Sequence, residues 1–137
     1  MECWHSHLLE LIRRSSCDLP TDVEEALAAA RLQEEPRSLA RETLDAVQAN
    51  AELARRSRRP ICQDTGIVIA FVKVGMGVHW DTDRSLQELI DEGVRRAYTD
   101  PSNILRASIV DPPIGGRRNT GDNTPAIVHT ELVPGET

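Results

Sequence analysis

Residues 60–75, PICQDTGIVIAFVKVG, decide how the chain is read, because its texture changes inside them. The later part, Ile67, Val68, Ile69, Ala70, Phe71, Val72, Lys73 and Val74 between Gly66 and Gly75, is a β-rich apolar run that predicts a buried strand. The earlier part sets a thiol, an amide, a carboxylate and a hydroxyl in succession at Cys62, Gln63, Asp64 and Thr65. Two readings of Cys62 stand side by side: a small buried thiol at the start of a strand, or a ligand or nucleophile at the mouth of a site. Gln63 and Asp64 favour the second, because polar side chains beside a buried strand are costly unless something pairs with them.

Before this stretch the pattern is helical. Leu8, Leu11 and Ile12 keep helical spacing in a short first helix that ends near Ser15 and Ser16. Thr21 and Glu24 have capping-box spacing, and Val23, Ala26, Leu27 and Ala30 give the helix that follows one apolar stripe. Pro36 restarts the chain, and Ala40, Leu44, Val47, Ala51 and Ala54 line a longer third helix. Beyond the strand, Ser85 and Glu88 offer a second capping box ahead of a helix marked by Leu86, Leu89, Ile90, Val94 and Ala97. Residues 106–110 predict a short strand, ended by Pro112 and Pro113 because proline donates nothing to a ladder. Residues 126–133 predict a last one. The fold class is mixed α and β: N-terminal helices (residues 1–59) packed on a small β-sheet in a mixed segment (residues 60–137) that carries the site motifs. A strand followed so closely by Thr137 leaves the domain incomplete, so a fragment or one part of a longer protein is expected.

Composition narrows the function. At 137 residues, 39% of them hydrophobic, the chain can bury one core but not two independent ones. A net charge of −6 argues against nucleic-acid binding, which needs a concentrated basic face. The run Arg55, Arg56, Arg58 and Arg59 is local, and reads as a solvated helix end or a subunit contact in preference to an anion site. No apolar run nears the roughly 20 residues of a membrane span, and the first residues lack the basic and apolar regions of a secretion signal. Three cysteines, Cys3, Cys17 and Cys62, are odd in number and make no disulfide framework, which points to a reducing cytoplasm. Cys3 and Cys17 read as ordinary thiols on or between helices.

As a nucleophile Cys62 needs a nearby base or cation, and only the fold can bring His79 or His129 to it. As a metal ligand it needs companions, since zinc and iron–sulfur sites take three or four protein donors. Residues 117–125, RRNTGDNTP, are either a turn whose Asn, Asp and Thr side chains satisfy their own backbone or a polar loop holding an anionic substrate. Arg106 is the better anion clamp, because it opens an apolar strand that would hold its guanidinium in place to fork onto a carboxylate.

The motifs DVEEALAAA, PICQDTG, LQELIDEGVRRAYTD, NILRASIVDPP and RRNTGDNTPAIVHTELVPG, in this order, resemble the N-terminal part of the class I, iron–sulfur fumarases and the L-tartrate dehydratase α subunit. The resemblance covers most of the chain from about Leu8 to Gly135, and PICQDTG joined to NTGDNTPA is its specific core. It implies a hydro-lyase that interconverts fumarate and malate, or the corresponding L-tartrate enzyme, on a [4Fe–4S] cluster held by three cysteines. One iron of that cluster stays open as a Lewis acid for the small dicarboxylate. By the match Cys62 is a metal ligand, while Gln63, Asp64 and Arg106 are substrate-binding residues. The other two cluster cysteines and the catalytic base have no match in this chain. The resemblance further implies a homodimer or an α/β subunit assembly in which the rest of the enzyme completes the cluster. Two alternatives remain at this stage: a non-catalytic remnant acting as an interaction domain through its N-terminal helices, and a redox protein using the Cys62 thiol.

Overall fold

The computed structural model describes residues 2–64 and 66–136. Its centre is helix α4 (Leu86–Thr99); numbering in chain order, α1 spans Glu2–Cys17, α2 Thr21–Gln33 and α3 Leu39–Ser57. Strand β1 (Ile69–Gly75) precedes α4, and β2 (Val110–Asp111), β3 (Arg118–Asn119) and β4 (Ile127–Val133) follow it. The architecture is mixed α and β, as the pattern of residues predicts.

The capping box at the start of α4 forms: the Ser85 hydroxyl accepts from the Glu88 N–H, and the Glu88 carboxylate accepts from the Ser85 N–H at 2.7 Å. From there Ile90, Val94, Ala97 and Tyr98 turn inward onto Ile12 of α1 and Ala126 ahead of β4. Ile90 and Val94 are only 1% and 0% exposed, and full burial of such side chains is worth about 1.5–3 kcal/mol each. Helix α1 lies close against α4, since a Cβ on Gly93 would stand 2.3 Å from Leu8 Cδ2. Strands β1 and β4 pair in parallel, with Ile69 opposite Ile127 and Val72 opposite Thr130. Ala70, Val72 and Val128 pack against the core from this sheet.

Several local expectations are corrected. Pro20 takes the N-cap position of α2, with no side-chain cap, so Thr21 lies inside the helix and its box with Glu24 falls out of register. Glu24 instead pairs with Arg55 on α3, and Arg31 with Asp45. The apolar stripe of α2 buries no residue; the helix rides on α3 rather than in the core. The strand expected over residues 106–110 shrinks to Val110 and Asp111, paired antiparallel with Asn119 and Arg118. The backbone before it is held mainly by side chains, although the Ile109 carbonyl accepts from the Thr120 N–H at 3.0 Å. The strand expected to be buried is covered on one face only: Ile69, Phe71 and Lys73 point outward, and Phe71 is 80% exposed. Among the described residues no helix is long and apolar enough to cross a membrane.

One side chain joins these parts. Asn123 is fully buried at φ 60°, a left-handed conformation that asparagine tolerates better than most residues. Its Nδ2 donates to the Gly66 carbonyl at 3.0 Å, and its Oδ1 accepts from the N–H groups of Ser108 at 2.7 Å and Ile109 at 3.2 Å.

Replacing Asn123 with Ala strands those three backbone groups, at a cost of about 2–4 kcal/mol. The urea midpoint should fall accordingly, and the amides of Ser108 and Ile109 should lose hydrogen-exchange protection; an unchanged midpoint would refute the clamp. A second expectation concerns acid. Hydrogen bonds from Arg13 and then Arg14 lower the Glu10 carboxyl from 4.5 to about 2. A depressed folded-state pKa stabilises fully above the unfolded value and loses that contribution as pH falls through the folded one. Stability should therefore decline between about pH 4.5 and 2, modestly because the pair is solvent-screened. The Glu10→Gln variant should decline less over that interval in urea titrations.

Candidate functional site

The turn after α3 is built by both neighbouring helices. Arg58 ends α3 in a left-handed conformation, and the Arg59 N–H returns to the Ala54 carbonyl at 3.1 Å. The Ile61 N–H donates to the Ser16 carbonyl of α1, and Asn50 Nδ2 of α3 donates to the Ile61 carbonyl, each at 3.0 Å. The next residue, Cys62, is thereby presented outward.

Cys62 is exposed, which overturns the reading of a buried thiol at the start of a strand. Its Sγ lies 3.5 Å from Gln63 Oε1, as a thiol donating weakly to the amide oxygen. Asp64 Oδ1 accepts from the Gly66 N–H at 3.0 Å and tightens the turn, with Gly66 at φ 62°. Thr65 lies outside the described residues, as does the side chain of Cys3. Cys17 is buried, and burial raises its thiol pKa above the ordinary value.

Arg106 does not open a strand; it sits on the exposed segment between α4 and β2. That segment is fixed on either side of it. Asn103 Nδ2 donates to the Ala97 carbonyl at 2.7 Å, Asn119 Nδ2 donates to the Ala107 carbonyl at 2.9 Å, and Asn123 holds Ser108. An open cleft of about 310 Å³ results, lined by Arg59, Pro60, Cys62, Gln63, Ile104 and Arg106. Cys62 also borders a second cleft of about 450 Å³, where Asp64 meets Ser15, Ser16, Ile67 and Tyr98. Three of the four residues singled out by sequence thus share one cleft, and Asp64 stands on the other side of the thiol.

Several polar groups of residues 117–125 bond within the loop. Asn119 Oδ1 accepts from the Gly121 N–H, and Asp122 Oδ1 accepts from the N–H and hydroxyl of Thr124. Burial pushes the Asp122 pKa up, but the Thr124 bonds and Arg95 outweigh it and hold the carboxyl below its usual range. His129 stacks on Phe71 on the outward face of the sheet, ring centroids 5.0 Å apart, and neither it nor His79 lines either cleft. Sequence reasoning missed Arg59 as a cleft residue and Asn123 as the clamp. The only signal for Arg59 was its place three residues before Cys62.

Among the described residues no three His, Cys, Asp or Glu side chains gather where they could hold a metal. One exposed thiol does not fit a cluster by itself, since cluster coordination needs several thiolates.

Comparison with known proteins agrees with the motifs. Residues 5–137 match the family model for fumarate hydratase (Fumerase). A provisionally named L(+)-tartrate dehydratase subunit alpha of Methanocaldococcus jannaschii is 34% identical over 122 residues, covering 88% of this chain and 42% of that protein. A provisionally named class I fumarate hydratase of Geobacillus stearothermophilus is 32% identical over 123 residues, covering 90% of this chain and 23% of that protein. The chain thus spans less than half the length of either relative. With nearly its whole length matched, the chain belongs to the fumarate hydratase (Fumerase) family.

Proposed function

We propose that this chain is the N-terminal portion of a hydro-lyase that reversibly adds water to fumarate to give malate. The observation that carries the reading is the convergence of Cys62, Gln63 and Arg106 on one cleft from segments more than forty residues apart. In this reading Arg106 grips a substrate carboxylate through its planar fork of donors, a geometry suited to paired N–H···O bonds. Gln63 donates or accepts beside it through its amide, and Asp64 reaches the substrate from the adjoining cleft. Cys62 supplies one ligand of a [4Fe–4S] cluster. Among the described residues no three potential donors gather, and in this reading the remaining ligands come from polypeptide outside this chain. Its partners are then the small dicarboxylate and the rest of the enzyme, as a homodimer or an α/β assembly in the cytoplasm.

A second reading takes L-tartrate as the substrate, dehydrated to oxaloacetate. The 34% identity to the archaeal relative favours it. The two substrates differ in hydroxyl groups, and discrimination of that kind rests on whether polar partners await them.

The test is anaerobic iron and sulfide analysis with fumarate and L-tartrate turnover, on this chain alone and on the chain joined to the remaining family polypeptide. The joined protein should bind about four irons and turn over one substrate. Absence of both iron and turnover would sink the reading. In the joined protein Cys62→Ser should abolish activity, and wild-type turnover would remove Cys62 from the ligand set. Arg106→Lys keeps the charge and loses the fork, so KM should rise about tenfold, equivalent to roughly 1.4 kcal/mol; an unchanged KM would move the carboxylate site elsewhere.

A further inference from the structure

We infer that Arg59 is a second carboxylate-binding residue of the Cys62 cleft, so that Arg59 and Arg106 together select a dianion over a monoanion. This rests on the reading of a dicarboxylate substrate. The starting observation is how the fold divides the four-arginine run. Arg55 is held by Glu24, with Asp18 and Glu52 at 3.8 Å; Arg56 pairs with Glu52 at 2.6 Å, and Arg58 with Glu10 at 3.4 Å. Arg59 has no carboxylate partner among the described residues, although its backbone is anchored to Ala54. It is also the member of the run that lines the cleft with Cys62, Gln63 and Arg106.

Two guanidiniums on one small cleft repel each other, and an anion between them turns that repulsion into attraction. A monocarboxylate can engage one fork fully; a four-carbon dicarboxylate offers a carboxylate to each. Pro60 and Ile104 give the same cleft an apolar surface for the carbons between them. None of the six lining residues is Asp or Glu. The rest of the run is paired with carboxylates on α1, α2 and α3, and Arg59 is left to hold a ligand.

Metal-free binding tests this separately from catalysis. The chain is titrated by NMR with fumarate and with crotonate, the same skeleton carrying one carboxylate. Wild type should bind fumarate about tenfold or more tighter than crotonate, the worth of one charged hydrogen-bonded contact. Arg59→Gln should erase most of that preference and leave crotonate affinity unchanged. Arg37→Gln, which removes an equal charge from the exposed turn between α2 and α3, should leave the preference intact. Equal fumarate affinity in wild type and Arg59→Gln would overturn the assignment, as would a wild type with no preference for fumarate. In the joined, iron-loaded protein, turnover with an unchanged KM in Arg59→Gln overturns the role of Arg59 and keeps the hydro-lyase. A fumarate preference that depends on Arg59, without turnover, does the reverse.

Discussion

The site depends on the carboxamide of Asn123, a side chain that is not among the lining residues of either cleft bordered by Cys62. One fully buried amide satisfies a carbonyl 57 positions upstream and an N–H 15 positions upstream. Gly66 lies four residues after Cys62, and Ser108 two after Arg106, so these bonds hold the thiol segment and the guanidinium segment together. An amide does this because it donates and accepts on one rigid plane; a carboxylate could not donate, and a hydroxyl could not reach all three partners. In a buried setting such bonds gain strength, and losing one leaves a group that water cannot rescue.

The clamp works because its own loop is bolted to α4. Asp91 Oδ1 accepts from the Ala126 N–H at 2.8 Å, and Gln87 Nε2 donates to the Ala126 carbonyl at 3.0 Å. One turn further along the helix, Arg95 donates to Asp122 at 3.0 Å. Helix α4 is therefore platform and core together: its apolar face buries Ile90 and Val94, and its polar side fixes the loop that carries Asn123. The loop of residues 117–125 is a built joint: Asn119 and Asn123 bond to backbone outside it, and Asp122 bonds to Thr124 and Arg95.

What the residues disclosed in advance follows from the range over which each feature is decided. Helix α4 was legible because its apolar spacing and the Ser85–Glu88 box are local, and both formed. The box at Thr21 failed because Pro20, one residue earlier, took the cap. The strand at residues 106–110 was cut short for a longer-range reason: Ala107, Ser108 and Ile109 bond to Asn119 and Asn123 side chains, so most of a sheet-forming segment gave its backbone groups to side chains before β2 begins at Val110. Cys62, Gln63 and Arg106 were found by motif, and only the fold shows three of the four candidates sharing a cleft while Asp64 faces another. Arg59 was illegible because which arginine lacks an acid depends on where Glu10, Glu24 and Glu52 arrive in space.

That arrangement resolves an apparent contradiction of charge. A chain of net charge −6 carries a cleft with two guanidiniums and no carboxylate. Glu10, Glu52 and Glu92 sit in ion pairs on α1, α3 and α4, where exposed pairs contribute little to stability. Glu24, Glu52 and Glu10 neutralise Arg55, Arg56 and Arg58, and the field at the Arg59 cleft, which no carboxylate lines, is locally positive against an acidic background. Such a field draws small anions toward one place on the surface. Across Cys62 the sign changes, because Asp64 lines the neighbouring cleft with the hydroxyls of Ser15 and Ser16 nearby. A ligand seated at the thiol would meet cations on one side and a carboxylate with hydroxyl partners on the other.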